Sequence, residues 1–310
     1  MAEGSGYGKT ILFGEHFVVY GLPAIASALG SRTTAVIEEA DTYTLVDDRP
    51  ETPGYKKGKC SEQVESNKLI FKACGIDVEK TPIKITLGGD LTAASGVGAS
   101  AASAAAIARA LNQHFKLGYD DARINEVAYA GEKGYHGKPS GIDNTASVYG
   151  GIIWFMKNME GGRDKMELLK MPKPVEIVLG NTGLTSSTKE VVADVRARKD
   201  AEPDRYRRIF AEYVEVVSSA RSALTSGKLD EVGELMNRNH KLLQEITVSC
   251  KELDRLVETA SNAGAPGAKL TGTGRGGLML ALTPGKKLQE KVAKAIEKEG
   301  YSAYRTRIGV

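Results

Sequence analysis

The feature that most restricts how this chain can fold is a glycine loop that runs into an alanine-rich segment. The stretch ASGVGASAAS occupies residues 94–103, and eight of the twelve residues from Ala99 to Ala110 are alanine. Alanine is the best helix former, so the sequence predicts a helix that begins near Ala99. Its small side chains would allow this helix to pack closely against a sheet.

Length and composition bound the class of protein. The 310 residues favour two domains, and the net charge of +3 comes without the long basic tracts of nucleic-acid-binding proteins. The three cysteines are odd in number and widely spaced, which is typical of reduced thiols. The sequence shows neither an apolar run of about 18 residues nor a signal peptide. We therefore expect a cytoplasmic protein with no nucleic-acid or membrane partner.

Hydrophobic patterning in the first half predicts a mixture of strands and helices. KTILFGEHFVVYG (9–21) predicts two strands joined at Gly14, and residues 33–47 predict extended strands. Residues 61–75 predict a helix, PIKITLGG (82–89) a strand, and Asp120 or Asp121 the N-cap of another helix. Loops are expected in two Pro/Gly-rich segments, DDRPETPGYKKGK (47–59) and KPSGIDNTASVYGG (138–151), before a strand in GIIWFM (151–156).

The second half predicts several helices and a few antiparallel strands, that is, an α+β arrangement. Strands are expected in MPKPVEIVLGNTGL (171–184) and SAYRTRIG (302–309), and helices from about Pro203, Lys251 and Gly285. The composition shifts near residue 172. We therefore expect an N-terminal domain over residues 1–175 and a C-terminal domain over residues 176–310.

The glycine loop allows more than one interpretation. Gly96 to Ala101 matches the dinucleotide fingerprint Gly-x-Gly-x-x-Ala, but the NQHFKLGY segment before Asp120 lacks the second strand that such a fold requires. The Walker phosphate loop is absent. Two interpretations stay open: a tight turn before an alanine helix, or an anion site at a helix N-terminus, where a serine hydroxyl could also bind Mg²⁺.

Three further stretches carry residues suited to phosphoryl transfer. Lys9, Glu15 and His16 occupy an otherwise apolar segment, where buried charge is costly unless it is paired or functional. Glu132 and Asp143 lie eleven residues apart, and two carboxylates with a nearby lysine suit metal binding and proton handling. GAKLTGTGRGG (267–277) has five glycines in eleven residues, more than an ordinary strand pair needs, which favours backbone approach to a ligand.

Together these segments resemble the GHMP family of small-molecule kinases and, within it, the mevalonate kinases. The resemblance rests on GKTILFGEHFVVYGLPAIA, SGVGASAA, PSGIDN, SSTKEVVADVR and GAKLTGTGRGG, which span nearly the whole chain. Kinetoplastid mevalonate kinases share the patterns GYGK-ILFGEHFVV, GASA and GTGRGG. The resemblance implies an N-terminal ribosomal-S5-like α/β sandwich and a C-terminal ferredoxin-like domain with added helices, with the active site in the cleft between them.

The resemblance also implies ATP-dependent phosphorylation of the C5 hydroxyl of mevalonate, with Asp143 and Lys9 as catalytic residues. It assigns the ATP phosphates to Ser95, Gly96, Val97, Gly98, Ala99 and Ser100. It assigns Mg²⁺ to Ser100 and Glu132. It assigns the mevalonate site to Glu15, His16 and Thr188, with Tyr149 a further candidate. It places Gly272, Gly274 and Arg275 in the third glycine-rich motif. A homodimer is compatible with it.

The sequence departs from the family pattern in three places. Ala99 stands where a first serine is usual, Arg275 replaces a glycine common in many relatives, and the usual proline before the phosphate loop is missing from GGDLTAAS. Two alternatives are kept. One is another GHMP kinase such as a phosphomevalonate kinase, and the other is a non-catalytic ligand sensor on the same fold.

Overall fold

The computed structural model describes residues 1–94, 96–162 and 164–310, which form two compact units. The first unit comprises Met1–Lys9 and Ala28–Gly150, and the second comprises Thr10–Ser27 and Gly151–Val310. The chain therefore passes from one unit to the other within two strands and again after Gly150. The family domain boundary expected at residues 175 and 176 stays a prediction.

The first unit contains a small sheet covered by helices. In chain order its elements are β1 (Ala2–Phe13), β2 (Ala24–Glu39), β3 (Thr44–Asp47), α1 (Tyr55–Gly58), α2 (Cys60–Cys74), β4 (Ile83–Gly89), α3 (Ala99–Phe115), α4 (Asp121–His136) and α5 (Ile142–Tyr149). β4 pairs antiparallel with β2 and parallel with β3, and β1 pairs with β2. The buried core lies between this sheet and α2, α3 and α4.

The alanine-rich helix begins at Ala99, as predicted. It packs directly against the backbone of β1. A Cβ atom added to Gly6 would lie 2.4 Å from the Ala102 carbonyl oxygen, and one added to Gly4 would lie 2.3 Å from the Ala106 carbonyl oxygen. Only glycine permits such an approach. The alternating glycines of β1 and the alanines of α3 therefore form one tightly packed layer, which fixes the N-terminal end of α3 beside Lys9.

The second unit contains an antiparallel sheet with helices packed against it. Its elements after the strand segments of β1 and β2 are β5 (Ile152–Met156), β6 (Lys165–Leu169), β7 (Val175–Asn181), α6 (Thr188–Ala201), α7 (Pro203–Ser226), α8 (Leu229–Glu245), α9 (Lys251–Asn262), β8 (Gly267–Thr271), β9 (Leu278–Leu282), α10 (Lys286–Lys298) and β10 (Ser302–Ile308). The order β10-β7-β9-β8 makes the main sheet. β5 pairs with Ala24–Ser27 and with β6. Among the described residues, no helix is long and apolar enough to cross a membrane.

The prediction of a strand directly after Gly14 is wrong. Phe17–Tyr20 form a 3-10 turn that ends at Gly21, and the next strand starts only at Ala24. The Phe17 ring stacks on Tyr213 with 3.8 Å between the ring centroids. Aromatic packing on α7 therefore outweighs the strand propensity of this valine- and tyrosine-rich stretch.

Part of the loop expected over residues 138–151 is also wrong, because it contains α5. Gly141 precedes the helix in a left-handed conformation, and Gly150 ends it. Between them Ile142, Ala146 and Val148 are buried, and α5 packs against α3 and α4. The flanking proline and glycines therefore mark the ends of a helix and not a continuous loop. The loop expected over 47–59 likewise contains the short α1, and β6 and α6 have no counterpart in the predictions.

Candidate active site

The glycine loop in the first unit leaves the N-terminus of α3 open. Gly98 is the N-cap, its φ angle is 69°, and no side chain caps the helix. The first hydrogen bond into the helix joins the Ala102 amide to the Gly98 carbonyl, so the amides before Ala102 have no partner within the helix. Such an end attracts anions. Ser95, assigned to this loop, lies outside the described residues.

Lys9 and Asp143 form an ion pair beside this loop. The Lys9 amide donates to the Val97 carbonyl oxygen at 2.7 Å, which ties the end of β1 to the loop. Lys9 Nζ lies 2.8 Å from Asp143 Oδ1, and Lys9 is only 7% exposed. Asp143 lies in the first turn of α5, where the helix dipole stabilises its negative charge. The loop, a buried cation and an oriented carboxylate are thus held together by local contacts.

Glu132, near the C-terminal end of α4, is a buried carboxyl group with an unusual environment. It is 1% exposed, and neither of its oxygens has a hydrogen-bond partner among the described residues. Burial raises the pKa of Glu132 to about 8, and the charge of Asp143 adds to the shift. The Ser100 hydroxyl and the Lys9 charge offset part of this rise in pKa. The His136 Nε2 atom lies 3.8 Å from Glu132 Oε2, beyond hydrogen-bond distance. A buried carboxyl group whose oxygens make no full hydrogen bond is a suitable ligand for a divalent cation.

The donor set fits Mg²⁺ only in part. Within 1–94, 96–162 and 164–310, no group of three or more His, Cys, Asp or Glu side chains could hold a metal ion. Ser100 and Glu132 would therefore provide one or two oxygen ligands, and phosphates and water the others. Mg²⁺ is commonly held in this way, by one or two protein oxygens together with substrate phosphates.

A cavity of about 220 Å³ lies on the same unit, and its residues were not singled out from the sequence. Its lining includes Asp47, Arg49, Tyr55, Gln63 and Tyr135. Arg49 is buried, pairs with Asp47 at 2.6 Å and donates to the Ala99 carbonyl oxygen at 3.2 Å. The Ala99 contact places this cavity next to the first turn of α3. In the sequence Arg49 stands in a Pro/Gly-rich loop, which gave no sign that its side chain is buried.

In the second unit, Glu15 is paired with a residue that the sequence analysis missed. Lys269 Nζ contacts Glu15 Oε1, both side chains are 0% exposed, and the same ammonium donates to the Leu270 carbonyl oxygen at 2.6 Å. Burial raises the pKa of Glu15 and lowers the pKa of Lys269, and the attraction between them opposes both shifts. The only sequence signal was a single lysine in the apolar strand GAKLT.

His16 has a defined tautomer and an unused nitrogen. Its Nε2 lies 2.6 Å from the Thr273 carbonyl oxygen, which can only accept, so Nε2 carries the proton. Burial lowers the pKa of His16, and the positive charge of Arg275 acts in the same direction. Nδ1 is therefore a free acceptor, and it has no partner among the described residues. The Thr188 and Thr273 hydroxyl oxygens lie 2.7 Å apart, which joins a third predicted residue to this group.

Comparison with known proteins decides the family. Family models described as the GHMP kinases N terminal domain and the GHMP kinases C terminal match residues 64–151 and 220–302. A mevalonate kinase from Pyrococcus abyssi is 36% identical over 97% of this chain and 93% of its own length. The chain belongs to the mevalonate kinases of the GHMP family.

Solved structures agree with this assignment. The structure of L. major mevalonate kinase in complex with R-mevalonate superposes with a TM-score of 0.94, at 38% identity, over 99% of this chain and 96% of that one. A phosphomevalonate kinase from Streptococcus pneumoniae has a TM-score of 0.74 at 17% identity, which shows the shared fold alone. The two-domain GHMP kinase fold is thus confirmed. The mevalonate kinase assignment is favoured over the phosphomevalonate kinase alternative, and the protein is an enzyme.

The structure separates Tyr149 from the other predicted residues of the first unit. Tyr149 is the last residue of α5, about 9 Å along the helix from Asp143. It is 39% exposed, and burial together with the charges of Asp121 and Asp120 raises its pKa. Among the described residues of the first unit, no contact links Tyr149 to Lys9 or Asp143. Its assignment to the substrate site stays a prediction.

The third glycine-rich motif comprises the strand β8 and the loop that leads to β9. Gly267–Thr271 and Leu278–Leu282 pair antiparallel, and the loop between them holds four of the five glycines. A Cβ atom on Gly274 would lie 2.2 Å from the Val248 carbonyl oxygen. Close packing against the backbone of the same unit is thus a structural reason for at least one of these glycines.

Proposed function

We propose that this enzyme transfers the γ-phosphoryl group of ATP to the C5 hydroxyl of (R)-mevalonate, giving 5-phosphomevalonate and ADP. The observation that carries the proposal is the Lys9–Asp143 ion pair beside an open helix N-terminus. Support for the substrate comes from the mevalonate-bound structure of the L. major enzyme, at 38% identity. Phosphoryl transfer depends mainly on positioning and charge neutralisation, and these groups are suited to both.

The triphosphate is assigned to the loop before α3. The backbone amides of Gly96, Gly98, Ala99 and Ser100 would donate to phosphate oxygens, and the positive end of the helix dipole adds to the attraction. Val97 contributes through its carbonyl group, which holds Lys9. The cavity lined by Tyr55, Tyr135 and Arg49 lies beside the first turn of the same helix and is assigned to the base of the nucleotide.

Ser100 and Glu132 are the residues that would hold Mg²⁺. The chemistry that a bound Mg²⁺ supplies is neutralisation of the phosphate charge that builds up during transfer. The raised pKa of Glu132 fits this role, since a cation would favour its ionised form and relieve the cost of a buried carboxylate. ATP follows from membership of a kinase family, whereas Mg²⁺ is part of the proposal.

Asp143 accepts the proton of the substrate hydroxyl. As the C5 oxygen forms its bond to the γ-phosphorus, the bond from that phosphorus to the bridging oxygen of ADP breaks. The hydroxyl proton passes to the Asp143 carboxylate. Lys9 holds the Asp143 carboxylate in place before the reaction and stabilises negative charge on the oxygen during it.

Recognition of mevalonate is assigned mainly to the second unit. His16 Nδ1 is a neutral acceptor that can receive a hydrogen bond from a substrate hydroxyl, and the Thr188 hydroxyl can donate one. Glu15 is a supporting residue, because its side chain is fully buried against Lys269. Tyr149 is a further candidate. A homodimer and a cytoplasmic location stay predictions.

A substrate panel tests the proposal. The purified protein is given ATP and Mg²⁺ with mevalonate, phosphomevalonate, homoserine or galactose, and ADP release is measured by a coupled assay. We expect release with mevalonate only, and a product phosphorylated at C5 by ³¹P NMR. Preference for phosphomevalonate would favour the other GHMP kinase. ATP binding without ADP release on any substrate would favour a ligand sensor.

A further inference from the structure

Arg275 lies in a backbone conformation that is unfavourable for an arginine. Its φ angle is 51°, in the left-handed region, and it stands among Gly274, Gly276 and Gly277, all with positive φ. A residue with a side chain costs about 1 kcal/mol or more in this region, and glycine costs little. An arginine here therefore indicates that its side chain has a use that offsets the strain.

The Arg275 side chain joins three segments of the second unit. Its Nε donates to the Thr247 carbonyl oxygen at 3.1 Å, and its Nη2 donates to the Thr247 hydroxyl oxygen at 3.3 Å and contacts Asp194 Oδ2. Its backbone amide donates to the Val248 carbonyl oxygen at 2.7 Å. The glycine loop, the connection between α8 and α9, and α6 are thus held at one point.

The same loop holds the predicted substrate residues. The Thr273 carbonyl oxygen accepts from His16 Nε2, and the Thr273 hydroxyl contacts that of Thr188, the first residue of α6. Asp194 lies on the same helix, six residues further along, or about 9 Å. Loop and helix are therefore joined at two points, Thr273–Thr188 at the substrate residues and Arg275–Asp194 away from them.

We propose that Arg275 is a positioning residue for the mevalonate site. Its ion pair with Asp194 fixes α6 against the loop, and this keeps the Thr188 hydroxyl and the His16 imidazole in the places required for substrate binding. The proposal rests on the proposed function. It concerns binding of mevalonate and leaves ATP binding, assigned to the other unit, unchanged.

A double-mutant cycle tests the ion pair. Arg275→Gln and Asp194→Asn should each raise the KM for mevalonate about tenfold, about 1.4 kcal/mol, with the KM for ATP unchanged. The double variant should show little further increase, because both changes break one interaction. Arg275→Lys should raise the KM for mevalonate less than Arg275→Gln does, because lysine keeps the positive charge.

Arg198→Gln is the matched control. Arg198 Nε also donates to Asp194, at 3.1 Å, but Arg198 belongs to α6 itself, so this ion pair lies within one helix. This variant should keep the KM for mevalonate. If Asp194→Asn instead lowers the KM, Arg275 binds the substrate carboxylate directly and the positioning role is overturned. Additive effects in the double variant would overturn it as well.

A second measurement does not depend on activity. The chain has four histidines, so ¹⁵N signals of His16 can be assigned by comparing the wild type with His16→Gln. In the wild type Nε2 should be protonated and Nδ1 should not. Asp194→Asn breaks the ion pair but keeps the Arg275 charge near His16, and in this variant we expect both His16 signals to shift or broaden. Unchanged His16 signals would reject the positioning role, whatever the result of the substrate panel. If the panel shows no activity with mevalonate but the signals do shift, only the proposed function is rejected.

Discussion

Lys9 Nζ lies 2.8 Å from Asp143 Oδ1, although 134 residues separate them along the chain. Lys9 comes from β1 and Asp143 from the first turn of α5. The buried lysine has a charged partner, and the partly exposed carboxylate is held at one orientation. Each group would be far less suited to proton transfer without the other.

Loss of either partner should abolish turnover. Asp143→Asn removes the proton acceptor, and Lys9→Met removes the charge that stabilises it, so we expect kcat to fall by a factor of about 10³ or more. The dissociation constant for ATP, measured by calorimetry, should change little. Asp77→Asn and Lys80→Met alter an exposed pair of the same residue types and should leave kcat unchanged. Near-normal kcat in Asp143→Asn would remove Asp143 from the mechanism.

Glu132 should make stability depend on pH. Its folded pKa of about 8 lies above the ordinary value of 4.5. Between these values the unfolded chain releases a proton that the folded protein keeps, so this group lowers the free energy of unfolding as pH rises, by at most about 1.4 kcal/mol per pH unit. Without nucleotide or metal, Glu132→Gln should therefore melt at a higher temperature than the wild type, and this difference should grow from pH 5 to pH 8.

The control for this experiment is Glu126→Gln on the same helix. The Glu126 side chain is exposed and pairs with Arg123. The melting curves of the Glu126→Gln variant should therefore follow those of the wild type across the pH range. A difference between Glu132→Gln and the wild type that stays constant with pH would contradict a raised pKa.

The Glu15–Lys269 pair should be sensitive to removal of one partner. Glu15→Gln or Lys269→Met leaves a fully buried charge without its counterion, and we expect each to lower the free energy of unfolding by about 3–5 kcal/mol. The double variant should lose less than the two single losses combined. Urea unfolding measures these values, and Asp204→Asn, which breaks an exposed pair with Arg207, should change them by about 0.5 kcal/mol or less.

Gly98 should matter for more than its backbone conformation. A Cβ atom added there would lie 3.0 Å from Lys9 Cβ. Gly98→Ala should therefore displace Lys9 and lower kcat by a factor of about ten or more. Gly75 has the same φ angle of 69° but open space around it. Gly75→Ala should cost about 1 kcal/mol of stability with normal kcat. Equal effects of the two variants on kcat would contradict this account.

Local sequence signals predicted the strongly patterned elements. The start of α3 at Ala99, the Asp120 cap of α4 and the strand at Ile83–Gly89 are as expected. The prediction failed at Phe17–Tyr20 and at α5, where contacts with residues distant in the chain determine the backbone. Ring stacking on Tyr213 and burial against α3 and α4 have no counterpart in local propensity.

The sequence by itself determined the family and the residue types available for chemistry: a glycine loop before an alanine helix, Lys9, Glu132 and Asp143. Only the tertiary structure decided how these groups are paired. Lys9 with Asp143, Glu15 with Lys269, and Arg275 with Asp194 are contacts between segments far apart in the chain. A charge's effect depends on its burial and on the distance to its neighbours, and folding alone fixes both.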